Sequence, residues 1–205
     1  MNRTIKSKEK YNRIARVYDA HSKFAEKLWL ANWREQFFSP LTGNILEIGI
    51  GTGKSIECYD KKAKVMGIDF SEKMLEKAHS KLAESGKKNI TLQQMDVENL
   101  NFKDNAFDHV VTSCVFCSVP NPIKGLKEIR RVLKPTGKLV MIEHVLSKNQ
   151  VIALMEQACN PITRFLMGAN INRNTKQNII NSGMKIIKEE NLALFDVFRL
   201  FIAKK

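Results

Sequence analysis

The sequence predicts an α/β fold carried on a mostly parallel sheet. Short apolar, strand-like runs alternate with helical segments over about 110 residues. A glycine-rich turn, Gly49-Ile-Gly51-Thr-Gly53, follows the first of these runs. Three successive strand ends then bring an acid to one edge: Glu47, Asp69 and Asp96. Alternation of this kind implies parallel strands joined by right-handed helical crossovers.

In chain order, Ser22–Phe38 reads as an amphipathic helix, with Phe24, Leu28, Trp29, Trp33 and Phe37 at helical spacings, and Ser39-Pro40 stops it. Asn44–Ile48 is the first strand, followed by the glycine loop and a helix over Ser55–Asp60. Ala63–Ile68 is the second strand. Ser71 caps a helix that runs to about Ser85, with Glu72 in its first turn. Ile90–Met95 is the third strand, and Phe107–Cys114 the fourth, apolar enough to be buried on both faces. A helix over Pro122–Leu133 stops at Lys134-Pro135-Thr136-Gly137, and Lys138–Val145 is the fifth strand. After Ser147 come two helical stretches, Val151–Met167 and Arg173–Ser182. Met184–Leu192 and Leu194–Ala203 then lie too close together for a crossover, so they pair antiparallel. No linker or repeat divides the chain: residues 1–205 form one domain, with 1–40 a helical lid segment and 41–205 the core.

The chain has 205 residues, 43% of them hydrophobic, and a formal net charge of +13. It can bury a sizeable core, which excludes disorder by composition. No window offers the ~18 consecutive apolar residues of a membrane span, and the charged N-terminus lacks the apolar stretch of a secretory signal. Four cysteines, mostly in apolar settings, suit a reduced, cytoplasmic chain. Residues 1–30 carry eight basic and three acidic side chains, a net +5. Such an excess fits an anionic membrane surface, an acidic small substrate, nucleic acid, or simply a Lys-rich solvated surface. No nucleic-acid motif accompanies it, so no nucleic-acid partner is expected. Trp29 and Trp33, four apart on a basic helix, suit either an interfacial anchor or a face packed on the domain.

The glycine loop discriminates between ligands. A phosphate loop needs a glycine where Ile48 stands, and a dinucleotide fingerprint needs its third glycine one residue later than Gly53. Glu47, two residues before Gly49, would repel a pyrophosphate and suit a cation. S-adenosylmethionine, with its sulfonium and ammonium, fits. Asp69 would then hold the ribose hydroxyls, and Asp96 would read the adenine amine. Ile68, Phe70 and Met74 would sandwich the purine, with Val97 and Ser113 beside it.

ILEIGIGTGKS, GIDFS, QMDVENLNF, AFDHVVTSCVF and EIRRVLKPTGKLVMIEH resemble, in order, the successive motifs of class I S-adenosylmethionine-dependent methyltransferases. The resemblance implies a Rossmann-like, seven-stranded sheet in the order 3-2-1-4-5-7-6, with strand seven antiparallel. Tyr11-Asn-Arg-Ile-Ala-Arg-Val-Tyr18-Asp19 is similar to the N-terminal signature of the ubiquinone/menaquinone methyltransferase-like branch. TSCVFCSVPNP and CNPITRFLMGANINRNT resemble bacterial phosphatidylethanolamine N-methyltransferases. The implied acceptor is a phospholipid amine headgroup at the membrane surface. A small soluble, thiol or quinone-like acceptor is the alternative, and a cofactor-binding protein with little activity is a reading of another class.

Methyl transfer from a sulfonium is driven mostly by positioning, and an amine acceptor must be neutral to attack. Tyr18, Glu143 and His144 are the candidate catalytic groups, although Glu143 at its strand end is equally suited to accepting backbone hydrogen bonds. Tyr11 and Tyr18, seven apart and hence on one helix face, would cover the sulfonium by cation–π contact or pack the helix. Cys114 and Cys117 form C-x-x-C with no second ligand pair, so no metal is expected; they line a core or pocket. Cys117, Ser118 and Arg173 are candidates for holding the substrate, Arg173 through a lipid phosphate.

Overall fold

In a computed structural model, residues 8–15, 18–19, 26–166, 168–193 and 196–205 are described. Residues 8–15 form helix α1. A π-helical turn over Glu26–Leu30 runs into α2 (Ala31–Phe38), and the core then alternates β1 (Gly43–Ile48), β2 (Ala63–Asp69), α3 (Glu72–Ser85), β3 (Ile90–Gln94), β4 (Phe107–Ser113), α4 (Pro122–Val132) and β5 (Leu133–His144). After it come α5 (Gln150–Leu166), α6 (Thr175–Asn181), β6 (Lys185–Ala193) and β7 (Phe198–Lys204). The Ser22–Ala25 part of the expected first helix, and the expected start of the last strand at Leu194, lie outside the described residues.

The seven strands form one sheet in the order β3-β2-β1-β4-β5-β7-β6. β1 pairs parallel with β2 and β4, β3 with β2, and β5 with β4. β7 runs antiparallel to both β5 and β6. The order expected from the resemblance is therefore the order found. Two differences concern local signals. The helix expected over Ser55–Asp60 is only a 3₁₀ turn, Ile56–Cys58, because Ser55 and Tyr59 turn inward to a buried acid. β5 takes in Leu133–Gly137, where Leu133 pairs with Phe107 ahead of a register shift, so the Pro-Thr-Gly stretch is an irregularity at the strand's start.

Apolar side chains fill both faces of the sheet, which makes three layers. On one face Leu126 and Ile129 of α4 and Ile179 of α6 meet Leu46, Val110, Leu139, Met141 and Phe201. On the other, Trp33 and Phe38 of α2 and Leu75 of α3 meet Ile45, Val65, Val111 and Leu200. The Trp29–Trp33 pair belongs to this second layer. Its rings stack 6.5 Å apart, and Trp33, 8% exposed, packs on Phe198. Of the two readings of that pair, the packed face is the one found.

α3 starts where Ser71 Oγ accepts the Met74 N–H and ends on left-handed Gly86. α4 starts where Asn121 accepts the Lys124 N–H, with Pro122 at its first position. Because β1 sends its connections to opposite sides, with β2 on one edge and β4 on the other, a crevice opens beyond the carboxyl ends of β1 and β4.

Phe201 is fully buried in β7, and its truncation leaves a cavity in the strand that closes the sheet. Phe201→Ala is expected to lower unfolding free energy by about 3–5 kcal/mol in chemical denaturation. A loss below about 1 kcal/mol would contradict this account of the core.

Candidate functional site

The crevice holds a cavity of about 690 Å³, counting the solvent at its mouth. Its floor is the glycine loop. Gly49 and Gly51 adopt left-handed φ of +70° and +57°, and Gly49 and Ile50 donate N–H bonds to the Ile68 carbonyl, tying the loop to β2. A Cβ at Gly49 would meet Val115 at 2.4 Å, whereas at Gly51 the nearest atom would be 3.9 Å away. The open space over Gly51 is therefore room that a ligand's backbone-hugging portion can use. Gly53, expected in the site, lines no cavity. Its missing Cβ leaves room for Ile56 and Ala78, so it serves the packing of α3 against the loop.

Asp69 ends β2 at the cavity wall, 6% exposed. Its Oδ2 accepts the Gly51 N–H at 3.0 Å and its Oδ1 the Ser71 N–H at 2.8 Å, and each oxygen retains a lone pair for a ligand hydroxyl. Burial pushes its pKa up to about 6, against the pull of these bonds. Asp96, Phe70, Met74, Val97, Ser113 and Tyr11, all expected from sequence, also line the cavity. Tyr18 does so as well. Burial raises the Tyr18 phenol far above its ordinary range, which keeps it protonated and unsuited to act as a base.

The lid is fastened across the mouth by side chains of α1. The Tyr11 hydroxyl and Ser118 Oγ are 2.5 Å apart, and Asn12 Oδ1 accepts from Ser71 Oγ at 2.7 Å. Tyr11 meets Phe70 edge-on with ring centroids 5.5 Å apart. Asp19 accepts from Thr52 Oγ1 at 2.7 Å and faces Lys54 at 3.4 Å, latching the segment to the glycine loop.

A second, more polar cavity adjoins the first and shares Tyr18, Gly49, Gly51, Ser113 and Cys114 with it. Here the structure adds residues that sequence reading missed: Glu26, Arg34 and Lys54. Arg34 is 5% exposed and pairs with Glu26, yet its buried Nε has no partner among the described residues. Buried Ser113 Oγ is likewise without one. A basic group on a half-buried helix carries no positional signal in sequence, which is why Arg34 escaped notice. Cys114, expected to line a core or pocket, is on the wall of both cavities; its φ of +57° is rare for a non-glycine residue and marks a constrained turn at the end of β4.

Several expected residues sit elsewhere. Glu47 does not reach the larger cavity. It borders only the polar one, 3% exposed, and its carboxylate accepts from Ser55 Oγ at 2.7 Å and the Tyr59 hydroxyl at 2.8 Å. Glu143 lines neither cavity. It is fully buried, accepting from Thr112 Oγ1 at 2.8 Å and from the Val115 and Phe116 N–H groups at 3.2 Å, and so fixes the turn after β4. His144 also lies off both cavities, edge-on to Phe198 and 3.8 Å from Glu156. Structural bonding takes up the Glu143 carboxylate, whereas the buried Nδ1 of His144 has no partner among the described residues. Cys117 is buried behind Ser118, its thiol pushed up to about 11 by burial. Arg173 lines neither cavity; one nitrogen of its guanidinium donates to the Val119 carbonyl at 2.6 Å, while its buried Nε has no partner among the described residues. Of the three expected substrate residues, only Ser118 faces the cavity. Among the described residues no three His, Cys, Asp or Glu side chains are grouped as metal ligands would be.

The arrangement fits a particular kind of molecule. The apolar cavity ends in two carboxylates, suited to a nucleoside. The polar annex holds acids and cations side by side, suited to a zwitterionic amino-acid end. The fold is that of a Rossmann-like α/β domain with a crevice at the carboxyl ends of its strands. Comparison with known proteins narrows the class. The methyltransferase-domain family matches residues 46–141. The demethylmenaquinone methyltransferase of Lactobacillus johnsonii is 33% identical over 173 residues, covering 78% of this chain and 71% of that protein. The phosphatidylethanolamine N-methyltransferase of Cereibacter sphaeroides is 38% identical over 117 residues, covering 57% of this chain; the chain spans 58% of that relative's length. An S-adenosylmethionine-dependent methyltransferase from Thermotoga maritima, described as a possible histamine N-methyltransferase, superposes with a TM-score of 0.71 at 19% identity, over 96% of this chain and 99% of that one. The chain belongs to the class I S-adenosylmethionine-dependent methyltransferases.

Burial raises the Glu143 pKa to about 7 from an ordinary 4.5, so the folded state holds this proton more tightly than the unfolded chain. Its contribution is fully present below about pH 4.5 and is lost as pH rises through 7, worth on the order of 3 kcal/mol. Glu143→Gln should therefore flatten the fall of stability between pH 5 and 7.5 in denaturation curves. An unchanged slope would show that this carboxyl does not titrate in that window.

Proposed function

We propose that the chain binds S-adenosylmethionine in the joined cavities and methylates a phospholipid amine headgroup. The observation that carries the cofactor half is the pair of unpartnered buried atoms on the polar cavity, Ser113 Oγ where it meets the apolar one and Arg34 Nε beyond. Asp69 and Asp96 would hold the nucleoside, with Phe70, Met74 and Val97 against the base. Arg34, Lys54 and Glu26 would hold the amino-acid end. When bound, this cofactor supplies an electrophilic methyl group on a sulfonium.

The chain's own residues then bind, orient and exclude water. Tyr11 and Tyr18, their rings 6.5 Å apart, offer aromatic surface to a cation, worth about 2 kcal/mol when desolvated. Both phenols stay neutral, because burial raises them strongly. The Tyr11–Ser118 pair at the mouth can accept and pass on a hydrogen bond from an approaching amine. Among the described residues Asp69 and Asp96 are the only carboxylates lining the larger cavity, so catalysis here rests on positioning.

The amine-headgroup acceptor is supported by the 38% identity to the Cereibacter phosphatidylethanolamine enzyme. A quinone-like acceptor is the second reading, supported by the greater span of the match to the Lactobacillus enzyme. Association with the cytoplasmic membrane surface follows from the first reading; among the described residues no helix is long and apolar enough to cross a membrane.

Purified protein, given methyl-labelled cofactor and vesicles containing phosphatidylethanolamine, should yield labelled lipid. Transfer only to a demethylated quinone would replace the amine reading with the second, and transfer to neither would end both. Asp69→Ala should weaken S-adenosylhomocysteine binding by about tenfold or more in calorimetry, since hydrogen bonds to a charged group are worth about 1.5–3 kcal/mol. Unchanged affinity would overturn the assignment of the cavity.

A further inference from the structure

Helix α5 is inside out. Six large apolar side chains point to solvent: Val151 is 70% exposed, Leu154 67%, Met155 63%, Ile162 61%, Phe165 78% and Leu166 61%. At 100° per residue they fall within an arc of roughly 120°. The face turned to the protein is polar instead. Glu156, 7% exposed, accepts the Ser147 N–H at 2.8 Å; Asn160 Oδ1 accepts the Ile171 N–H at 3.0 Å; and Thr163 Oγ1 donates to the Ala169 carbonyl at 3.2 Å. A helix that turns its polar side to the core and a continuous apolar stripe to water is built to be covered.

We infer that α5 docks this stripe into an anionic lipid surface. The charges favour that occupant. Glu156 is the only acid in α5 and is buried, so its exposed surface carries no negative side chain, while Lys148 before the helix and Arg164 within it are cationic. The helix has 17 residues, about 25 Å of length, and among the described residues no helix qualifies as a span, so α5 would lie in the interface plane. Its position suits delivery to the cavity. Lys10 of the lid donates to the Arg164 and Phe165 carbonyls at 2.8 and 3.0 Å, one residue before Tyr11, and Asn170 donates to the Cys117 carbonyl beside Ser118. The C-terminal end of α5 thus adjoins α1 and the segment that carries Ser118, both on the cavity wall.

This surface deepens the lipid-acceptor reading, and its test is kept separate from it. Sedimentation with phosphatidylcholine vesicles containing phosphatidylglycerol, with no ethanolamine lipid and no cofactor, reads docking alone. Wild type should co-sediment, less so in high salt or with phosphatidylcholine alone. The Leu154→Gln/Phe165→Gln double variant, whose changes lie at exposed positions, should keep its circular dichroism and melting temperature and lose about tenfold or more of its partitioning. Should the variant fail to fold, an environment-sensitive fluorophore on Cys159, the one exposed cysteine, gives the same answer in wild type by a blue shift on these vesicles. Equal binding by variant and wild type, an unshifted fluorophore, or a wild-type dimer in sedimentation velocity that the double variant abolishes would each overturn the proposal. Docking without methylation of phosphatidylethanolamine would defeat the acceptor reading and leave this surface standing. Methylation of a short-chain, soluble phosphatidylethanolamine without docking would do the reverse.

Discussion

The site depends on one buried carboxylate. Asp69 sits at the end of β2 with one oxygen on the Gly51 N–H and the other on the Ser71 N–H. It therefore fixes the glycine loop after β1 and the start of α3 at the same time. An acid this buried is costly to hold charged, and its pKa rises to about 6 despite those bonds. A carboxylate that accepts further donors from a ligand recovers part of that cost, so the same group shapes the cavity and gives it an appetite for hydroxyls. Glu47 and Glu143 repeat the pattern at the ends of β1 and β5 with protein donors alone. Their bonds hold the Ser55–Tyr59 turn beside the polar cavity and the turn after β4, so the walls rest on acids bonded to the protein itself.

Around this scaffold the lid is held by scattered polar ties. Tyr11 reaches Ser118, Asn12 reaches Ser71, Asp19 reaches Thr52, and Lys10 reaches the end of α5. Each tie joins the lid to a different element of the core. A movement of α5 would be felt at the lid through Lys10, which links the helix with the unpartnered apolar stripe to the entrance of the site.

Much of this was legible in the chain. The alternation from Asn44 to Val145 placed β1 to β4 within a residue at each end, whereas β5 begins at Leu133, five residues before the expected Lys138. The acids at Asp69 and Asp96 were found because a glycine loop and a strand end each carry a local signature. What sequence could not show concerns depth and partnership. Glu143 and His144 stand where a reactive group would stand, but sequence cannot say that Thr112 and two backbone N–H groups already occupy the carboxylate. Arg34 and Glu26 approach the site from a helix whose pattern speaks only of packing. The tryptophans suited either an interfacial anchor or a packed face, and Trp33 packs on Phe198, while the exposed apolar stripe lies on α5, whose 3.6-residue period looks the same whether its apolar side faces in or out.

The central claim is that one cofactor spans both cavities, nucleoside over the glycine loop and amino-acid end beside Arg34. A crystal structure of the chain with S-adenosylhomocysteine tests this directly. The account predicts ribose hydroxyls on Asp69, the purine against Phe70 and Met74, and the amino-acid end within hydrogen-bonding reach of Arg34. A ligand bound outside the two cavities, or one whose amino-acid end points away from Arg34 and Lys54, would contradict it.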